Sequence, residues 1–203
     1  MPPVHSLCVF CGHADGQDPR HRGAAAALGQ ALADAGIELI YGGGHTGMMG
    51  FLARAALERG GRVVGIIPGC LMSPQVASLD LTERVIVPTF AARKHLMMER
   101  AEAFCVLPGG FGTMDEAFEI LTRKQLGLLS KPVLLVNVAG HFKAWRLLVE
   151  TIVGEGFAPS GAHGLYAMVE TVAEVLPALA RAPAAFARVP ERQNASQHLR
   201  PKV

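Results

Sequence analysis

Short apolar and β-branched runs alternate along the chain with longer segments whose apolar positions recur at helical spacing. The short runs occupy 6–10, 38–41, 63–67, 84–87, 103–107, 133–136 and, with a weaker pattern, 165–168. The longer segments cover 19–35, 46–59, 91–100, 113–126, 142–153 and 171–181. Such alternation is the signature of parallel βαβ units, and strands that are apolar almost throughout belong to a sheet covered on both faces. The pattern predicts an α/β fold with a mostly parallel central sheet flanked by helices. The segment 68–81 has little periodicity and reads as a mobile connection or an edge of a ligand site. Beyond Arg181 the chain turns to Ala, Pro, Arg and Gln and buries too little apolar surface to offset its ordering entropy. One domain over 1–181 is expected, with 182–203 as a frayed tail; 203 residues suffice for one well-buried domain and are short for two.

In an open parallel sheet, ligands bind beyond the carboxyl ends of the strands, and two such positions here are rich in glycine. After 38–41 comes GGGHTGMMG, in which Gly42, Gly44 and Gly47 satisfy G-x-G-x-x-G at a strand-to-helix junction. The dinucleotide form of that motif needs an acid near the end of the next strand, and here the strand ends Ile66-Ile67-Pro68-Gly69. NAD is thereby disfavoured, and a P-loop is excluded for want of Gly-Lys-Ser/Thr. A mononucleotide or a sugar phosphate stays in view, against the alternative that the glycines only let helix and strand pack closely. The second loop, Pro108-Gly109-Gly110-Phe111-Gly112-Thr113, also follows a strand and precedes a helix. Two amide-lined turns at equivalent positions favour a shared phosphate over two packing coincidences.

Thr113 and Glu116 have the Thr-x-x-Glu spacing of a capping box, which would explain both residues by local hydrogen bonding alone. The competing reading is chemical, because a carboxylate one turn from a phosphate loop reaches the sugar that carries the phosphate. Asp115, Glu116 and Glu119 make a weaker case for a metal, since no other acids gather at strand ends. Arg93-Lys94 opens the helix that leads into the same strand, and both side chains either face the anion or form an ordinary solvated helix face.

Composition narrows the partners. A net charge of +2 gives no reason to expect nucleic acid. No apolar run approaches the ~20 residues of a bilayer helix, and the start reads as the first strand rather than a signal peptide, so no membrane partner and a cytoplasmic setting are expected. Cys8, Cys11, Cys70 and Cys105 read as buried thiols, because the single Cys-x-x-Cys lies in an apolar run without a second pair. The histidines show no zinc spacing, and no metal is expected.

The combination YGGGHTGMMG, ARK, LPGGFGTMDE and QLGLLSKPV resembles the LOG (Lonely Guy) family of cytokinin riboside 5'-monophosphate phosphoribohydrolases, often mislabelled lysine decarboxylases. The likeness runs from about Val4 to Arg181. It implies a Rossmann-like homodimer without a cofactor that hydrolyses the N-glycosidic bond of a nucleoside 5'-monophosphate to free base and ribose 5-phosphate. Carried onto this chain, the catalytic residues fall on Arg93 and Glu116. Phosphate and nucleotide binding falls on Gly109, Gly110, Gly112 and Thr113, with Gly43, Gly44, Gly47 and Lys94 alongside. No pyridoxal-phosphate lysine context accompanies the decarboxylase label. The chain departs from the family at His13, where Ser is common, at Phe90 in place of Met, and at Arg123 in place of an aromatic residue; these changes bear on base preference. The rival from another class is a carrier of the molybdenum cofactor type, which holds a phosphorylated ligand without hydrolysing it.

Overall fold

A computed structural model describes residues 4–73 and 79–185, with the side chains of 182–185 excepted. The expected tail beyond 185, and 74–78 within the aperiodic segment, lie outside the described residues. The strands are β1 (Ser6–Phe10), β2 (Glu38–Tyr41), β3 (Val63–Pro68), β4 (Glu83–Val87), β5 (Ala103–Val106), β6 (Val133–Val136) and β7 (Ala167–Val169). The helices are α1 (Pro19–Asp34), α2 (Gly47–Glu58), α3 (Phe90–Arg100), α4 (Phe111–Gln125), α5 (Lys143–Gly154) and α6 (Val175–Ala185), the last running past the boundary expected at Arg181.

All seven strands are paired in parallel in the order β4-β3-β2-β1-β5-β6-β7. The chain builds outward from β1 to β4, then crosses to the other side of β1 and continues through β5 to β7. This is the Rossmann-like three-layer architecture, with the reversal of strand order between β1 and β5. Alternation along each strand divides the core in two. Leu7 and Val9 pack with Leu28 and Leu32 of α1, Leu52 of α2 and Leu179 of α6. Cys8 and Phe10 face the opposite layer, with Met97 of α3, Ile120 of α4 and Trp145 of α5. Helices α3 and α4 therefore share a face, and their first turns converge at the carboxyl edge of the sheet.

Of the cysteines, Cys8, Cys11 and Cys105 are buried as expected, and burial pushes the Cys105 thiol up to about 12. Cys70 departs from that expectation, being exposed just after β3, where the chain has left the core. No helix among the described residues is long and apolar enough to cross a membrane.

Candidate active site

A cavity of about 600 Å³ opens beyond the carboxyl ends of β1, β2 and β3, and both glycine loops, Arg93 and Glu116 line it. Its position follows from the topology, since loops that leave neighbouring strands in opposite directions leave a crevice at the switch point.

The start of α4 forms one wall. The helix begins at Phe111 with Gly110 as N-cap, and no side chain caps it. A helix start leaves its first amides without intrahelical acceptors. Among the described residues the N–H groups of Phe111, Gly112 and Thr113 donate to no other group. With the positive end of the helix dipole behind them, these amides make a seat for an anion. Gly109 shapes the turn, because a Cβ there would lie 2.1 Å from Thr113 Oγ1. Its N–H already donates to His141 Nε2 at 3.4 Å. The reciprocal cap between Thr113 and Glu116 does not form: the helix starts before Thr113, which places both residues inside it.

The glycine loop before α2 is built differently. Met49 N–H donates to Gly12 O at 3.2 Å and Met48 N–H to Ala14 O at 3.4 Å, so first-turn amides of α2 are occupied by the loop that follows β1. Gly47 has φ +59°, and a Cβ there would lie 2.1 Å from His13 O. Thr46 Oγ1 donates to that same carbonyl at 3.3 Å, and Gly12 N–H donates to Pro108 O at 3.0 Å. The 11–14 loop thus ties the two glycine turns together. The expectation of two equivalent amide-lined turns is corrected accordingly: Gly43 and Gly44 line the cavity, whereas Gly47 is turned against His13.

Glu116 lies one turn beyond the open amides and is only 7% exposed. Arg93 reaches it from α3, with Nη1 2.9 Å from Glu116 Oε1. Thr89 caps α3 by accepting from Ala92 N–H at 3.0 Å, which sets Arg93 on the first turn. Arg93 Nε also donates to Ile66 O at 3.2 Å, so the guanidinium bridges from α4 to the end of β3. Burial pushes the Glu116 carboxyl up to about 6, against the pull of Arg93. The result is a buried carboxylate with a fixed cation on one side and open cavity beside it.

Lys94, expected to meet the anion, is paired here with acids of α4 and not with Glu116. Its Nζ lies 2.9 Å from Asp115 and 2.7 Å from Glu119, and none of the three lines the cavity. The same pairing occupies Asp115 and Glu119, two of the three acids considered for a metal, and the third, Glu116, pairs with Arg93. Of the three family departures only His13 lines the cavity; Phe90 is half-exposed outside it and Arg123 pairs with Glu119 at 2.8 Å. The sequence reading missed His45, Met49, Ile67, Leu71 and Phe111 as lining residues. Their place at the carboxyl ends of β2 and β3, on the first turn of α2, or at the glycine-rich start of α4 was the available signal.

Fold and cavity define the class: a Rossmann-like protein with an uncapped helix start beside a buried carboxylate–guanidinium pair. A family model described as "Possible lysine decarboxylase" matches residues 49–179. The chain is 37% identical over 182 residues to the probable cytokinin riboside 5'-monophosphate phosphoribohydrolase LOG4 of Oryza sativa subsp. japonica, covering 90% of this chain and 79% of the rice protein. It is 40% identical over 151 residues to the cytokinin riboside 5'-monophosphate phosphoribohydrolase LOG7 of Arabidopsis thaliana, covering 74% and 70% of the two chains. The chain belongs to the LOG family of phosphoribohydrolases. Among solved structures, the molybdenum cofactor carrier protein of Chlamydomonas reinhardtii matches with TM-score 0.66 at 21% identity, covering 88% of this chain and 98% of that one. DNA processing protein A of Helicobacter pylori matches with TM-score 0.55 at 12% identity, covering 87% and 80%. These two likenesses describe the fold.

Proposed function

We propose that the protein hydrolyses the N-glycosidic bond of a purine nucleoside 5'-monophosphate, AMP or an N6-modified AMP, releasing the base and ribose 5-phosphate. The observation that carries this reading is the buried Arg93–Glu116 pair, one helical turn from three unengaged amides. Those amides suit a phosphate, which fixes the ribose and converts binding energy into alignment. Cleavage passes through an oxocarbenium-like sugar, which needs negative charge near C1' and a positioned water. Glu116 supplies the charge and takes a proton from the water as its oxygen attacks C1'. Arg93 holds the carboxylate in place and favours its ionised form against burial. Names of LOG relatives in rice and Arabidopsis support the same substrate class. The homodimer and the cytoplasmic setting expected from the sequence belong to this reading as well.

The test is incubation of the purified protein with AMP and chromatography for adenine and ribose 5-phosphate, with adenosine as the control. Free adenine from AMP and little from adenosine is the expected result. Unchanged AMP despite measurable binding would establish a carrier instead.

A further inference from the structure

Water activation and charge at C1' leave one demand of the reaction unmet, because a purine departs poorly as an anion and needs a proton as its bond to C1' breaks. We propose that His45 delivers that proton. The inference rests on the hydrolase reading above and on the direction in which a nucleotide must lie. The open amides of α4 mark the phosphate end, and Glu116 marks C1'. From Glu116 the Arg93 guanidinium leads to Ile66 O and to Gly42, where a Cβ would lie 2.2 Å from Arg93 Nη2. The base therefore extends over the ends of β2 and β3, onto an apolar floor of Met49, Ile67 and Leu71. His45 lines that end of the cavity and is half-buried. Its backbone is pinned, since Arg54 Nη1 donates to His45 O at 3.0 Å, and a Cβ on Gly50 would meet that oxygen at 2.2 Å.

Among the described residues the His45 imidazole has no hydrogen bond or ion pair, so its nitrogens are available to a ligand. Imidazole is the side chain whose ordinary titration range suits proton donation near neutrality. The other histidine in the cavity, His13, belongs to the 11–14 loop that bridges the two glycine turns, its carbonyl facing Thr46 and Gly47. In the balanced step the C1'–N bond breaks with its electron pair going to the base. The imidazolium N–H gives its proton to a base nitrogen, water oxygen bonds to C1', and the water proton goes to Glu116. Solvent then returns a proton to His45 and removes one from Glu116.

The test compares two leaving groups, the adenine of AMP and the 4-nitrophenolate of 4-nitrophenyl ribofuranoside 5-phosphate, which leaves without protonation. His45→Gln is expected to slow adenine release about 100-fold, the lower end for a positioned acid, and nitrophenolate release by no more than a few-fold. His13→Gln is expected to affect both substrates in the same ratio. Near-parental AMP hydrolysis by His45→Gln, or equal slowing of both substrates, would overturn the assignment. A melting curve and AMP binding by the variant separate chemistry from misfolding. A parent protein inert towards both substrates refutes the hydrolase reading itself, and the proposal with it.

Discussion

The starts of α2 and α4 look alike in sequence, each a glycine-rich turn between a parallel strand and a helix, yet they are put to different uses. At α4 no side chain or loop among the described residues satisfies the first amides, and Glu116 lies one turn further on. At α2 the carbonyls of Gly12 and Ala14 take the amides of Met49 and Met48, and Gly47 makes room for His13. A glycine motif therefore signals close approach of backbone to something, and the partner decides whether that something is a ligand or another loop. Here the 11–14 loop, at the switch point, is the partner of one turn and the brace of the other.

The largest expected effect is at the α4 end. Glu116→Gln keeps an acceptor for Arg93 while removing the charge, and AMP hydrolysis should fall at least ~100-fold, the lower end expected for a general base. Binding of AMP should persist, as calorimetry would show. Near-parental turnover would leave Glu116 a structural partner of Arg93 and dissolve the distinction between the two helix starts.

Next in size is a stability contrast between glycines. Gly47→Ala forces a side chain into a positive-φ site and against the His13 carbonyl, and should destabilise the fold by about 1–3 kcal/mol. Gly112→Ala meets nothing within 4 Å of the new Cβ and needs no left-handed backbone, so its melting temperature should stay close to the parent's. Equal melting of the two variants would show that the 11–14 loop does not brace α2.

The pH profile tests the electrostatics of the acid. With the Glu116 carboxyl near 6, the ionised form needed as base is lost as pH falls, so turnover should drop about tenfold from its plateau by pH 5. Because Arg93 pulls this pKa down, Arg93→Gln should move the acid limb to higher pH. Linkage runs in the matching direction: a carboxyl raised above its unfolded value binds its proton more tightly when folded. Its contribution thus favours the fold below about 4.5 and weakens as pH rises through about 6. An acid limb that stays put in Arg93→Gln would mean that the guanidinium does not govern the carboxylate.

Most of the sheet was legible because buried parallel strands carry near-continuous apolar runs, and the observed bounds of β1, β2 and β6 coincide with those runs. The start of α4 was not, because Thr113-x-x-Glu116 carries the spacing of a cap while the helix begins on glycine and leaves its amides open. Spacing also could not pair Arg93 with Glu116. Their meeting depends on α3 and α4 covering the same face after the crossover from β4 to β5, a property of strand order and not of either segment. The role of Gly12 and His13 was hidden for the same reason, since each acts through a backbone contact to a loop distant in sequence.

The smallest effect is expected at Lys94, beside Arg93 in sequence but joined to Asp115 and Glu119. These are pairs near the surface, with Asp115 largely exposed, so screening and side-chain entropy limit their worth. Lys94→Gln should cost no more than ~1 kcal/mol of stability and leave the KM for AMP within about twofold, because less than 0.5 kcal/mol separates such values. Arg93 would still be presented by the Thr89 cap, and the α4 amides would still be open. Were Lys94 instead a ligand for the phosphate, losing a charge-assisted contact of ~1.5–3 kcal/mol would raise KM about tenfold or more, and steeply so at low salt. A KM shift of that size would return Lys94 to the anion seat and show that bound nucleotide draws it away from its acidic partners.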